Sequence, residues 1–112
     1  MNDEPKIKMA HGGGGSQSHE LIKEVFASNF SNPVLSAFGD SAIVEIPRSY
    51  LAYTTDSYVV KPIFFPGGNI GKLAACGTIN DLAVAGARPV YMTAGFIIEE
   101  CFSISKLREI VQ

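Results

Sequence analysis

Apolar side chains recur every three or four residues in three segments of the chain, a spacing that predicts amphipathic helices. The predicted helices span residues 19–27, residues 70–85 and the C-terminal stretch from about residue 103 onward. A serine is placed to cap the first and last of them, because its hydroxyl can accept a hydrogen bond from a first-turn N–H group. These serines are Ser18 for the first helix and Ser103 or Ser105 for the last.

Three other segments are rich in Ile, Val, Tyr and Thr, which are residue types that favour strands. They cover residues 42–46, 51–60 and 90–98. Turn residues separate the first two segments, so a hairpin is the simplest connection between them. The predicted order is helix, strand, strand, helix, strand, helix, and the predicted fold class is α+β.

Length and composition limit the chain to one small core. With 112 residues and 46% apolar content, we expect a single domain over residues 19–112, preceded by a mobile glycine-rich arm over residues 1–18. The last predicted helix ends on its periodic residues without a cap. We therefore expect the chain to be part of a longer protein.

The charge pattern argues against nucleic-acid and membrane partners. The formal net charge is −2, and the nine Lys and Arg residues are scattered without forming a basic stripe. The longest apolar run is about ten residues, which is shorter than a membrane span. Cys76 and Cys101 have no CxxC motif and no nearby His, so neither a zinc site nor a secreted disulfide framework is indicated. These features favour a cytoplasmic domain with reduced thiols.

One polar side chain interrupts the apolar face of the predicted central helix. Leu73, Gly77, Asn80 and Val84 follow one another at steps of three or four residues, and Asp81 lies beside Asn80. Burying the Asn80 amide without a partner would cost about 1 to 3 kcal/mol. We therefore expect Asn80 to have a hydrogen-bond partner or a ligand.

Two carboxylates lie where strand formation alone does not favour them. Asp40 precedes the first predicted strand, and Asp56 lies within the second. Magnesium takes hard oxygen ligands, so separated carboxylates that converge in space would suit it, together with substrate phosphates. An ordinary turn is the alternative for Asp40, because that residue lies between Gly39 and Ser41.

Four consecutive glycines at residues 12–15 follow His11. Their backbone N–H groups could close over phosphates, because glycine tolerates positive φ and has no side chain in the way. No Lys followed by Ser or Thr comes after them, so this is not a Walker A loop. A flexible leader is the alternative interpretation.

A second glycine-rich segment, FFPGGNIG at residues 64–71, leads into the central helix. The N–H groups of Ile70 and Gly71 could receive an anion there, with added charge from Lys72. A plain N-cap at Asn69, with Lys72 in solvent, is the alternative. Phe64 and Phe65 are predicted to pack in a core or a subunit interface, and Cys76 is predicted to be a small buried residue.

The segment TTDSYVVKPIFFPGGNIGKLAACGTINDLAVAGARP, at residues 54–89, resembles the signature of the hydrogenase maturation factor HypE family. MAHGGGG at residues 9–15 is similar to the HGSGG-type opening of that family, and GDSA at residues 39–42 resembles an acidic turn of a wider ATP-using superfamily. That superfamily includes aminoimidazole ribonucleotide synthetase, selenophosphate synthetase and thiamine-monophosphate kinase, which lack FFPGGNIG. Cys101 in EECF departs from the EEGF that family members often carry.

The resemblance implies a PurM-like N-terminal domain of a longer protein, whose C-terminal domain is absent from this chain. Its mixed, largely antiparallel sheet of about four strands would have helices on one face and would pair across a homodimer. ATP and Mg²⁺ are the implied cofactors, with the glycine-rich stretch as a lid over the nucleotide. The residues implied to bind the nucleotide are His11, Gly12, Gly13, Gly14, Gly15, Asp56, Lys72, Asn80 and Asp81. The residues implied to bind magnesium are Asp40, Asp56 and Asp81.

The family's activity, by resemblance, is ATP-dependent dehydration of a cysteine-bound thiocarbamate to a thiocyanate, which supplies cyanide ligands for nickel-iron hydrogenase. The reacting group would sit on a terminal cysteine outside this chain, so the chain alone is expected to be inactive. The implied partners are the carbamoyltransferase HypF and the HypC–HypD scaffold complex. Two alternatives remain open. One is a non-catalytic dimerisation and docking module, and the other is a phosphotransferase of the thiamine-monophosphate kinase or selenophosphate synthetase type.

Overall fold

The computed structural model describes residues 4–38, 44–46 and 50–112. The chain divides into two compact units. The first comprises Met1–Ile46 and Ile97–Gln112, and the second comprises Pro47–Phe96. Among the helices that the structure describes, none is long and apolar enough to cross a membrane.

The first unit is mainly helical. A short 3₁₀ helix at Met9–Gly12 precedes helix α1 at Ser16–Leu21, which continues as a π-helical segment at Ile22–Ala27. A second 3₁₀ turn covers Leu35–Ala37, and helix α3 covers Ile104–Val111. The predicted first helix is therefore present, but it begins three residues earlier than expected.

The prediction that Ser18 caps the first helix is wrong, because Gly15 occupies the N-cap position of α1. The prediction for the last helix is confirmed at Ser103. Its hydroxyl oxygen accepts a hydrogen bond from the Lys106 N–H at 3.3 Å. Glu4 adds a carboxylate at the same end, accepting hydrogen bonds from the hydroxyls of Ser103, at 2.6 Å, and Ser105. These two hydrogen bonds hold the pKa of Glu4 below its ordinary value.

The core of the first unit is formed by four buried side chains: Ile7, Val25, Leu107 and Val111. Partly buried residues from α1, the π-helical segment and α3 pack around them. Ile7 is held in place by backbone hydrogen bonds to the turn before α3: its N–H donates to Phe102 O, and its carbonyl accepts from Cys101 N–H, both at 2.8 Å. Part of the arm predicted to be mobile therefore contributes to the core, while its mobility stays a prediction.

The second unit contains a small hairpin followed by a long helix. Strand β1, at Phe64–Phe65, pairs antiparallel with strand β2, at Gly68–Asn69. Helix α2 follows directly at Ile70–Val84. The central helix predicted for residues 70–85 is thus confirmed to within one residue.

Three strand predictions are wrong for the described part of the chain. Residues 51–60 and 90–98 have no strand pairing, and the described part of the first predicted strand, residues 44–46, has none either. Among the described residues, the only sheet is the two-stranded β1–β2 ladder. Most apolar side chains of these segments are exposed, such as Val59 at 92% exposure and Ile97, which is fully exposed, whereas Ile98 packs against the core of the first unit. Strand propensity becomes a strand only where a neighbouring strand accepts the backbone hydrogen bonds.

Candidate functional site

The FFPGGNIG segment forms a tight hairpin that sets the start of α2. Pro66 and Gly67 occupy its two central positions, and Gly67 has a φ of 93°. A type II turn needs positive φ at its third position, which glycine adopts without strain. The Ile70 N–H donates to the Ile63 carbonyl at 3.0 Å, so the hairpin extends to the first helical residue.

Lys72 is tied into this turn in two ways. Its backbone N–H donates to Asn69 Oδ1 at 3.0 Å, and its ammonium donates to the Gly67 carbonyl at 2.8 Å. The Lys72 stem also covers Gly68, where an added Cβ would lie 2.8 Å from Lys72 Cδ. The N-cap interpretation of Asn69 is confirmed. The anion-site interpretation loses one of its two named backbone donors, because the Ile70 N–H is already bonded.

An aromatic contact joins the acidic segment, defined as residues 54–60 around Asp56, to helix α2. The Tyr58 ring lies on Gly77, where an added Cβ would be 2.8 Å from Tyr58 Cζ and closer still to the Tyr58 hydroxyl. Asp56 precedes this tyrosine by two residues, and Asn80 and Asp81 follow the glycine by one helical turn. Within the second unit, the contact therefore brings the acidic segment beside helix α2, which carries Asn80 and Asp81.

The predicted ligands of the second unit are solvent-exposed: Asp56, Asn80 and Asp81. Asp56 Oδ1 accepts a hydrogen bond from the Ser57 N–H at 3.2 Å, which fixes the carboxylate near its own backbone. The expectation that the helix face of Asn80 is buried is wrong here, whereas the role of Asn80 as a ligand stays a prediction. Val84, on that same face, is 88% exposed, and α2 has no buried residue. An exposed amide is solvated by water and carries no desolvation penalty.

Asp40, the third predicted magnesium ligand, lies outside the described residues. Within residues 4–38, 44–46 and 50–112, no group of three or more His, Cys, Asp or Glu side chains could hold a metal ion. Asp56 and Asp81 can each offer a carboxylate, which is the ligand type that magnesium prefers. The magnesium set stays a prediction.

The glycine-rich stretch of the first unit follows the 3₁₀ helix. His11 Nδ1 accepts a hydrogen bond from the Lys8 N–H at 2.9 Å, so the neutral ring carries its proton on Nε2. Gly14 has a φ of 75°. Added Cβ atoms at Gly12, Gly14 and Gly15 would meet nothing within 4 Å. This backbone is open on its outer side and can be approached by a ligand.

Two contacts at these sites were not predicted from the sequence. Tyr58 lies in a segment that predicted only a strand, and Gly77 was counted as one member of an apolar helix face. Ser18 was interpreted as a helix cap, although its hydroxyl contacts the glycine-rich stretch. A glycine in mid-helix is the one available signal, since it often marks a close approach by another group.

Both cysteines are exposed, and they differ in backbone conformation. Cys76 is exposed, so the prediction of a small buried residue is wrong. Cys101 is also exposed and has a φ of 68°, in the left-handed region that favours glycine. The turn therefore keeps the conformation that glycine would adopt at this position, with cysteine in its place.

The profile of the family described as "AIR synthase related protein, N-terminal domain" matches residues 38–112. The chain belongs to this family, whose fold is the α+β PurM-like fold.

Within it, the similarity is to the hydrogenase maturation protein HypE. The chain is 51% identical to the carbamoyl dehydratase HypE of Rhodobacter capsulatus, over 99% of this chain and 33% of that protein. It is 47% identical to the HypE of Escherichia coli (strain K12), over 94% of this chain and 33% of that protein. A crystal structure of HypE in complex with ATP superposes with a TM-score of 0.89 at 47% identity, covering 92% of this chain and 30% of that one. The chain thus spans about a third of the length of these relatives.

Proposed function

We propose that this chain is the N-terminal, ATP-binding part of a hydrogenase maturation factor that uses ATP to dehydrate a carbamoyl group. The observation that carries the proposal is the close structural match to HypE, a protein crystallised with ATP. The identity of about one half extends over nearly the whole chain. The activity, its substrate and its partners belong to the full-length protein.

The first unit supports this function through its glycine-rich backbone. Residues 12–15 leave the space above their Cα atoms open at three of four positions. Backbone N–H groups can approach phosphate oxygens closely only where no side chain intervenes. His11, Gly12, Gly13, Gly14 and Gly15 are accordingly proposed to contact the nucleotide phosphates.

The second unit supports it through its exposed oxygen ligands. Asp56 lies two residues before Tyr58, and Asn80 and Asp81 lie one helical turn after Gly77, which Tyr58 contacts. When bound, magnesium would neutralise phosphate charge, and Asp40, Asp56 and Asp81 are proposed to hold it. Lys72 would have to leave its bond to the Gly67 carbonyl before it could reach a phosphate.

The chemistry follows from the leaving group. A carbamoyl oxygen departs poorly, so transfer of the γ-phosphoryl group of ATP onto that oxygen would let it leave as phosphate. The nitrogen loses its two protons over the reaction, and the thiocarbamate becomes a thiocyanate. Such transfer depends mostly on positioning and charge neutralisation, which suits carboxylates, an amide and a glycine backbone. A terminal cysteine outside this chain is proposed to carry the reacting group.

The test uses the full-length protein with Asp81→Ala, matched to Glu100→Ala, an exposed carboxylate in the turn before α3. We expect both variants to fold, and only Asp81→Ala to lose ATP-dependent dehydration. The readout is the mass of the C-terminal peptide, which should gain a carbamoyl group and then lose one water when ATP is added. Unchanged turnover by Asp81→Ala would refute the role of this residue.

The same peptide map, together with measurements of ATP binding and oligomeric state, separates the alternatives. If no terminal cysteine gains the carbamoyl mass, a small-molecule phosphotransferase of the same superfamily becomes the better account. If the protein binds no ATP but forms a stable dimer, a docking and dimerisation module is indicated. The exposed apolar side chains within residues 51–60 and 90–97 favour a homodimer in the proposed function, because these segments of strand-forming composition have no pairing partner among the described residues. HypF and the HypC–HypD complex are the proposed maturation partners.

A further inference from the structure

The hydroxyl of Ser18 bridges the two sides of the glycine-rich stretch. Its oxygen accepts a hydrogen bond from the Gly14 N–H at 2.8 Å and donates to the Ala10 carbonyl at 3.4 Å. Ser18 itself is only 7% exposed, and it is the buried polar residue of the described core region. The bridge lies at the end of a nearly closed loop over residues 10–18.

Other hydrogen bonds hold the same loop but leave its middle to Ser18. The Gly13 N–H donates to the Ala10 carbonyl at 3.3 Å, and the His19 N–H donates to the Gly15 carbonyl at 3.1 Å. Gly14 lies between these bonds and has positive φ, which is one of many backbone conformations open to glycine. The Ser18 hydroxyl is the partner that the structure shows for the Gly14 N–H.

The hydroxyl is not explained by helix formation. Ser18 lies inside α1 and does not cap it, since the N-cap position belongs to Gly15. Within a helix, alanine is the more favourable residue, because serine can bond to nearby backbone groups in competing conformations. The bridge to Gly14 and Ala10 is what the serine adds at this position.

We propose that Ser18 is a positioning residue for the glycine-rich loop, holding Gly14 in place so that the loop is ordered before the nucleotide phosphates arrive. This inference rests on the proposed function. A loop that is already ordered does not have to lose its conformational freedom when the ligand binds, so ATP binds more tightly. Ser18 touches no reacting atom, so it acts on binding and not on the chemical step.

The experiment compares Ser18→Ala with Ser16→Ala in the full-length protein. Ser16 is an exposed serine in the same short helix and serves as the matched control. For Ser18→Ala we expect faster amide hydrogen exchange in the peptide covering residues 10–18. We also expect a rise of about threefold to tenfold in the KM for ATP, the equivalent of one hydrogen bond, with kcat nearly unchanged. Ser16→Ala should change neither quantity.

A conservative variant provides a rescue. Ser18→Thr keeps the hydroxyl and should retain slow exchange and a KM close to that of the unmodified protein. Faster exchange in Ser18→Ala with an unchanged KM would overturn the inference, because the bridge would then be structural only. Unchanged exchange would overturn it as well. An unmodified protein that binds no ATP would overturn the proposed function itself, whereas normal ATP binding with equal KM in all variants overturns only the role of Ser18.

Discussion

Replacement of Gly77 by alanine tests the contact that joins the acidic segment to helix α2. The added Cβ would lie 2.8 Å from Tyr58 Cζ and 2.9 Å from Tyr58 Cε1, with the hydroxyl nearer still. Carbon atoms in contact are normally separated by about 3.5 to 4.0 Å. The tyrosine ring must therefore leave its position or the two segments must separate.

Two opposing effects set the magnitude. In a well-packed core an extra methyl group costs about 1 to 3 kcal/mol. The atoms nearest Gly77 are instead the outer end of the Tyr58 side chain, and α2 has no buried residue, so the ring can move aside at the lower end of this cost. Alanine in a helix interior is favoured over glycine by about 0.5 to 1 kcal/mol. For Gly77→Ala we expect the two effects nearly to cancel, with the free energy of unfolding changed by less than about 0.5 kcal/mol. In a Tyr58→Ala background the clash is gone, so the same substitution should stabilise by about 0.5 to 1 kcal/mol.

The assay is a double-mutant cycle measured by urea denaturation. The four proteins are the unmodified protein, each single variant and the pair, and Gly77→Ala should be more favourable by about 0.5 to 1 kcal/mol when Tyr58 is removed. If Gly77→Ala stabilises the protein to the same extent in both backgrounds, Tyr58 does not lie on this glycine and the joint between the segments is refuted. Such a difference between the two backgrounds, accompanied by weaker ATP binding in Gly77→Ala, would also connect the contact to Asp56.

Three further predictions concern the first unit. Cys101→Gly should raise the free energy of unfolding by up to about 1 kcal/mol, because glycine accepts a φ of 68° without strain. Thermal denaturation should show this gain for Cys101→Gly and no change for Cys101→Ala. Equal gains in both variants would indicate an effect of the thiol and not of the backbone. The carboxylate of Glu4, whose pKa is lowered by two serine hydroxyls, contributes stability above its ordinary pKa that is lost as the pH falls through the lowered value. Denaturation at a series of acid pH values should show the unmodified protein converging on Glu4→Gln, and parallel curves would contradict this. Leu107→Ala should lower the free energy of unfolding in urea by about 2 to 5 kcal/mol, because Leu107 is buried. Val84→Ala, at a site that is 88% exposed, should change it by less than about 0.5 kcal/mol. Similar losses at both sites would contradict the assigned core.

The elements that the sequence predicted correctly depend on short-range interactions. Helix α2 was located by its periodicity, and its cap at Asn69 by residue type. The same holds for α3 and its cap at Ser103. In each case the deciding hydrogen bond joins residues three positions apart, so the local sequence contains both partners.

The predictions that failed needed information from elsewhere in the chain. The strands at residues 51–60 and 90–98 depend on a neighbouring strand, which the described residues do not supply. Burial of Asn80 was inferred from periodicity, but periodicity identifies a face without showing what covers it. At the glycine-rich stretch, composition indicated an open backbone, while the role of Ser18 depended on how the loop folds back over the helix start.

The sequence by itself determined helices α2 and α3, their caps at Asn69 and Ser103, and the family to which the chain belongs. Each of these rests on residue types within one turn or on a motif preserved in order along the chain. Only the tertiary structure placed Tyr58 on Gly77, paired Ile7 with the turn that holds Cys101, and set that cysteine at positive φ. The physical reason is that such contacts join residues nineteen or more positions apart in this chain. Their formation depends on the balance of packing and chain entropy over the whole fold, which no local pattern contains.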